Sequence, residues 1–443
     1  MTALSNPVAA GTSNATAVAS PRFNLDGHMP VLDGIRGLAV LMVLVLHFIG
    51  SMQPTNSVER AIVHATNYGA FGVELFFVLS GFLITGILYE SYHKPHYFRN
   101  FYARRALRIF PLYYGVLTLV FFVAPMIPSL RGQTLDYLVE RQEWAWLYGV
   151  NVFIANQGDW SLSYIEHFWS LAVEEHFYLF WPLVVFLVAR RPRTLLALSL
   201  TIALCAVLAR LIGFLSGLSW WTTYVLTPFR LDGLALGAAL AVMARQPAGL
   251  ERLTRALPHV LAVAGGLLAM TFLFPGPTWG QGISLTAPIR SASIQVLLAC
   301  LLLWALVAPD RSATKRFFCS RWMVFLGTYS YGLYVYHHFI SYYLATNRTE
   351  FEVTRWLGSH GLAVALQATA GIAVSLMIAY LSYELFEKRF LKLKRLFDTT
   401  EERTPERPAA SGATDQTAGA PSTAGSRQFS AHCSSARAKG AIQ

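Results

Sequence analysis

From residue 31 to about residue 390 the chain alternates long apolar runs with short polar, often basic, stretches. A bilayer core about 30 Å thick takes about 20 apolar residues in a helix. Segments that meet this need lie near 31–50, 70–89, 110–128, 168–189, 195–216, 224–244, 257–274, 291–308, 322–345 and 362–385. The pattern predicts about ten transmembrane helices in an all-α, polytopic membrane bundle. One more apolar stretch, 144–156 (WAWLYGVNVFIAN), is short and is expected to be a re-entrant or interfacial piece within a long outer loop. The ends hold too few apolar residues to bury. Residues 1–30 are expected to be a disordered cytoplasmic N-terminus, 31–390 the transmembrane domain, and 391–443 a basic, then disordered, cytoplasmic tail.

Charge sets the orientation. With the N-terminus inside and ten spans, the inner loops carry 15 Lys and Arg and the outer loops 6, which obeys the positive-inside rule. An eleventh span would move the Arg190-Arg191-Pro192-Arg193 cluster outside. Only 13% of the 443 residues are charged and 54% are hydrophobic, against about a quarter charged in soluble domains, so a soluble globule is excluded. The net charge of +11 sits largely in loop clusters, and no segment resembles a nucleic-acid-binding module. Cys205, Cys300, Cys319 and Cys433 show neither metal-type nor paired spacing, so neither a disulfide nor a metal site is expected. No basic start followed by an apolar core marks a cleaved signal peptide.

A charged side chain at mid-bilayer costs on the order of 3 kcal/mol or more, so it faces an interior, a partner or water. Arg36 and His47 share the first span. Eleven steps of about 100° return nearly to the starting direction, so both project from one face and are expected to line one cavity. A snorkelling arginine and a hydrogen-bonded core histidine would show the same spacing. In the fourth span Ser170, Glu174 and Tyr178 recur every four residues, while Glu175 points elsewhere. A carboxylate held there suits a proton acceptor or an orienter of histidine; an ion pair with Arg210 or Arg230 is the other reading. Arg104, Arg105 and Arg108, expected in the inner loop 91–109, suit phosphate groups or lipid headgroups. Arg230 and Asp232 look like an internal pair, Glu384 should pair with basic neighbours, and Ser330, Tyr334, His337 and His338 form a polar stripe in the ninth span. No GxxxxGK[ST], HExxH, GxGxxG or GxSxG motif is present.

Five of these segments, in order, resemble the acyltransferase 3 family of membrane-bound O-acyltransferases. They are Leu32-Asp33-Gly34-Ile35-Arg36-Gly37-Leu38-Ala39 followed by His47; Gly72 through Leu83; Arg104 through Pro111; His167 through Leu171, with Glu174 and Tyr178; and Tyr331 through His337. The resemblance covers about residues 30–390. It implies acyl transfer, usually of acetyl, from a cytoplasmic acyl-CoA to a hydroxyl of a cell-envelope sugar or a secreted small molecule. Arg36 and His47 match the family's Arg-x10-His element, tied to handling the acyl group, and Arg104, Arg105 and Arg108 match the element tied to holding CoA. Members with an extracytoplasmic esterase-like domain hand the acyl group to it. With no such domain in this sequence, direct transfer within the bundle is expected, to a lipopolysaccharide or exopolysaccharide precursor or a glycosylated metabolite.

The roles expected on that basis are catalytic for His47, Glu174 and Arg36; acyl-CoA binding for Arg104, Arg105 and Arg108; and substrate binding for Ser170, Tyr178, Tyr334 and His337. His47 would take the hydroxyl proton or carry the acyl group, with Glu174 orienting it and Arg36, Ser170 or Tyr334 meeting the oxyanion. The donor would be acetyl-CoA, with no metal. The location would be a bacterial inner membrane with both termini cytoplasmic, and no pattern specifies an oligomeric state. A non-enzymatic flippase or exporter of a lipid-linked glycan is the alternative.

Overall fold

The structure is a computed structural model that describes residues 28–274, 278–279, 283–284 and 286–397; most of the two expected disordered ends falls outside these residues. The helices in chain order are α1 (Pro30–Val45), α2 (Ser57–Thr66), α3 (Phe71–Ser91), α4 (Tyr97–Thr118), α5 (Gln133–Glu140), α6 (Glu143–Trp146), α7 (Val150–Gln157), α8 (Phe168–Val188), α9 (Pro192–Leu215) and α10 (Trp220–Val225). They continue as α11 (Leu231–Ala244), α12 (Gly249–Leu273), α13 (Ala287–Val307), α14 (Ala313–Phe318), α15 (Arg321–Thr328), α16 (Ser330–Thr346), α17 (Thr349–Leu357), α18 (His360–Ser382) and α19 (Lys388–Lys392). π-helical turns extend α1 over Leu46–Gly50, α4 over Leu119–Val123 and α18 over Tyr383–Glu387. A short antiparallel pairing joins Thr278–Trp279 to Ile283–Ser284.

Among the described residues eight helical stretches are long and apolar enough to cross a membrane, which makes this a multi-pass membrane protein. Two of the ten predicted crossings are not of that kind. The 224–244 segment breaks because Pro228 sits in a tight turn, Thr227–Phe229, and leaves α11 with 14 residues, about 21 Å of helix. The 322–345 segment divides at Tyr329 into α15 and α16. The 144–156 stretch forms the short helices α6 and α7, neither long enough to cross.

The side chains sort as a lipid solvent requires. Along α9 the inward stripe is Leu195, Ser199, Ala203, Ala206, Arg210 and Gly213, while Leu200, Leu204, Leu208 and Ile212 are exposed on another face. Helix α3 occupies the centre, packed on α1, α8, α11 and α13. Its crossing with α11 depends on two reciprocal glycines: a Cβ on Gly81 would lie 1.9 Å from the Leu234 carbonyl oxygen, and one on Gly237 would lie 2.0 Å from that of Val78. Small residues let helix backbones approach closely where lipid supplies no hydrophobic drive between helices. Gly237→Val is therefore expected to lower stability by about 1–3 kcal/mol or more, read as a fall in melting temperature in detergent.

The buried charges of α3, α9 and α11 are paired, but Arg230 and Asp232 do not bind each other as predicted. Arg210 binds Asp232, and Arg230 binds Glu74. Arg230 and Asp232 stand two residues apart, and such positions on a helix do not face each other. Glu384 pairs locally with Lys388 at 2.8 Å.

Candidate functional site

Two cavities meet inside the bundle. The first, about 470 Å³, is lined by Arg36, Arg104, Arg105 and Arg108, and further in by Ser80, Ser170, Glu174, Tyr178 and Tyr334. The second, about 510 Å³, is lined by His47, Glu166, His167 and His338, with Trp160, Trp169 and Tyr224 as an aromatic wall. Val73 and Tyr334 border both.

The arginines do not lie in a loop. They sit near the middle of α4, whose helix starts at Tyr97, so a helical face aims Arg104 and Arg108 into the cavity. Arg36 is held by Asp33 at 2.9 Å, and Asp33 also meets His28 at 2.6 Å. Arg105 lies over the Tyr178 ring at 4.2 Å. Glu174 accepts from Ser80 at 2.7 Å and from Tyr178 at 3.0 Å, while Tyr178 also approaches Ser80 at 3.1 Å. The four-residue step of Ser170, Glu174 and Tyr178 thus lines one wall. The partner suggested for Glu174, Arg210 or Arg230, is bound elsewhere.

At the boundary the Tyr334 hydroxyl donates to the His167 carbonyl at 2.6 Å and is itself hydrogen-bonded by Ser170. This contact joins α8 to α16 and separates the two cavities.

On the other side α1 gives way to the π-turn Leu46–Gly50, which carries His47; single π-turns often mark functional positions. The His47 ring is half-buried and lies 5.0 Å from the His337 ring and 4.8 Å from that of His338. His167 stands 4.8 Å from His338 and 5.4 Å from His337. His337 donates through Nδ1 to the Leu333 and Tyr334 carbonyls at 3.1 and 2.8 Å, His338 through Nε2 to the Ser163 carbonyl at 3.1 Å, and His167 through Nε2 to the Val335 carbonyl at 3.3 Å. The Glu166 carboxylate lies 3.5 Å from His338 Nε2. Burial, reinforced by the carboxylate of Asp159, pushes Glu166 up to about 8. Burial and then the neighbouring histidines hold His167 well below its ordinary value.

The structure therefore does not gather Arg36, His47 and Glu174 in one chamber. Eleven residues of helix rise about 16 Å, enough to carry His47 past the Tyr334 boundary while Arg36 stays on the arginine side. Glu174, one turn beyond Ser170, faces that side too, so it does not orient His47. Tyr178 and Ser170 line the arginine cavity, Tyr334 lines both, and His337 is fully buried behind His47. Glu166, His167 and Ser80 escaped the sequence reading as site residues. His167 and Ser80 lie inside two of the recognised motifs and Glu166 immediately before one, which was the available signal.

A family model described as an acyltransferase domain matches residues 29–384. The chain is 27% identical over 379 residues to peptidoglycan O-acetyltransferase OatA of Listeria monocytogenes, covering 81% of this chain and 55% of that protein. It is 28% identical over 332 residues to O-acetyltransferase OatA of Staphylococcus aureus, covering 72% of this chain and 51% of that protein. It thus spans about half the length of these relatives. No solved structure matches it.

Proposed function

We propose, from the premise that this chain belongs to the acyltransferase domain family matched over residues 29–384, that it moves an acetyl group from acetyl-CoA to a sugar hydroxyl of a cell-envelope glycan. The observation that carries this reading is the pair of cavities, one lined by arginines and the other by histidines and aromatic rings, that meet at Tyr334. The donor occupies the arginine cavity from the cytoplasm, the side that the positive loops select, in a bacterial inner membrane. Arg104, Arg105 and Arg108 grip the CoA phosphates, as guanidinium groups do bidentately, and the pantetheine arm runs toward Ser170 and Tyr334. The acceptor sugar enters the histidine cavity, where the aromatic wall offers flat apolar faces. Two relatives are named as O-acetyltransferases, one of them for peptidoglycan, which supports this reading.

His47 takes the proton from the acceptor hydroxyl. The oxygen attacks the thioester carbonyl, the new ester C–O bond forms, the C–S bond breaks, and the CoA thiolate leaves with a proton from the imidazolium. The Ser170 hydroxyl, at the boundary, donates to the developing oxyanion by turning away from Tyr334, whose own proton stays on the His167 carbonyl.

Two measurements test this. Protein in nanodiscs should release CoA thiol from acetyl-CoA only when a glycan acceptor is present, and mass spectrometry should find the acceptor heavier by one acetyl. Translocation of a lipid-linked glycan with no CoA release would overturn the reading in favour of an exporter. The Arg108→Gln variant should raise KM for acetyl-CoA about ten- to a hundredfold with kcat little changed, because it removes a charge-assisted contact worth about 1.5–3 kcal/mol; an unchanged KM would remove Arg108 from donor binding.

A further inference from the structure

We propose that His47, His337 and His338 form a binding site for a transition-metal dication, with Zn2+ as the type ligand. One ring nitrogen from each lies within 4.8 Å of the others. His337 and His338 are adjacent and His47 stands 290 residues before His337, so no ligand spacing in the sequence announces the set.

The hydrogen bonds fix which nitrogens are offered. His337 donates through Nδ1 to backbone carbonyls of its own helix, and a neutral ring that does so must present a lone pair at Nε2. His338 donates through Nε2 to the Ser163 carbonyl, which leaves the lone pair at Nδ1. Both of these atoms, His337 Nε2 and His338 Nδ1, are buried with no hydrogen-bond partner, and their residues are 0% and 4% exposed. Two buried imidazoles, each anchored by a carbonyl on one nitrogen with the other left bare, reproduce the arrangement in which metal-ligating histidines are held by their outer partners. Glu166, 3.5 Å from His338 Nε2, adds a carboxylate to that outer layer.

Distances allow closure. Zinc–nitrogen bonds of 2.0–2.1 Å at a tetrahedral angle put ligand nitrogens about 3.4 Å apart, so the widest gap has to shrink by about 1.4 Å. His47, half-buried on a π-turn and bordering open cavity, can bring its ring nitrogen toward the other two by rotating. A set of three imidazoles selects zinc, copper or nickel over magnesium or calcium, which prefer oxygen. Three protein ligands leave one position facing the cavity for water. A bound ion takes the His47 lone pair, so occupancy competes with proton transfer. That consequence rests on the role proposed above for His47, whereas binding does not.

The test uses the full chain, freed of any histidine tag and stripped of metal by chelator. Titration with Co2+, followed by its visible ligand-field bands, should show one ion per chain, displaced by Zn2+. His337→Gln and His338→Gln should each weaken binding by about tenfold or more, while His64→Gln, at an exposed position on α2, should leave it unchanged. Binding that survives the double His337→Gln/His338→Gln variant overturns the site. X-ray absorption on the zinc-loaded wild type needs no variant: three imidazole scatterers at about 2.0 Å support the site, and a shell of oxygens or no bound zinc overturns it. Zn2+ should also suppress acetyl transfer, with chelator restoring it. Zinc held by three imidazoles without any slowing of transfer would confirm the site and overturn the proton-accepting role of His47.

Discussion

His47→Ala is expected to reduce acetyl transfer by about 10²–10⁴-fold, the usual worth of a positioned general base, while protein yield and melting temperature stay near wild type. The reason is local. Of the four clustered histidines, His167, His337 and His338 are buried and tied to carbonyls, whereas His47 is half-buried on the histidine cavity. The anchoring bonds hold those three rings in place, so none of them is free to swing to the position that His47 occupies beside the cavity. The loss should appear in kcat with KM for acetyl-CoA nearly unchanged, because the arginines proposed to hold the donor lie on the other side of Tyr334. Initial-rate kinetics on CoA release check this, and near-normal kcat in the alanine variant would remove His47 from the reaction.

Glu74→Ala should be the most destabilising of the polar substitutions. Glu74 accepts from Arg230 on one oxygen and from Gln295 at 2.7 Å on the other, tying α3 to the start of α11 and to α13. Arg230 is 2% exposed and sits among the rings of Phe77, Trp169 and Tyr224, its guanidinium carbon 5.1–5.7 Å from their centroids. Removing the carboxylate leaves a buried cation without a counter-charge and a buried amide without an acceptor. Breaking such a pair from one side costs about 3–5 kcal/mol. The double variant Glu74→Met/Arg230→Met should recover much of that loss, since replacing both charges with apolar groups of similar volume is often neutral. Thermal unfolding in detergent distinguishes the cases; a Glu74→Ala protein that melts like wild type would show that Arg230 finds another partner.

The same pair shows how far local sequence reaches. That Arg210, Arg230 and Asp232 needed partners was legible, because unpaired charge in an apolar span is expensive. Their identities were not, since the nearest candidate in the chain, Asp232 for Arg230, points away on the helix, and the true partner of Arg230 comes from α3. The four-residue step of Ser170, Glu174 and Tyr178 was read correctly as one face. Which cavity that face borders depended on how α8 lies against α3 and α16. The helix-wheel prediction that Arg36 and His47 share a chamber failed for two reasons: a continuous α-helix was assumed where a π-turn begins at Leu46, and a wheel projection ignores the rise that carries His47 beyond Tyr334.

Apolar run length, a property of consecutive residues responding to a bilayer, determined from sequence alone that this is an all-α, multi-pass membrane protein. Motifs within single helices likewise supplied the family resemblance. The pairing of Arg230 with Glu74, the closure of Tyr334 on Ser170 between two cavities, and the meeting of His47 with His337 and His338 were decided only by tertiary packing. Each joins residues on different helices, and the distance between helices is set by side-chain fit across the whole bundle, which no local pattern in the chain encodes.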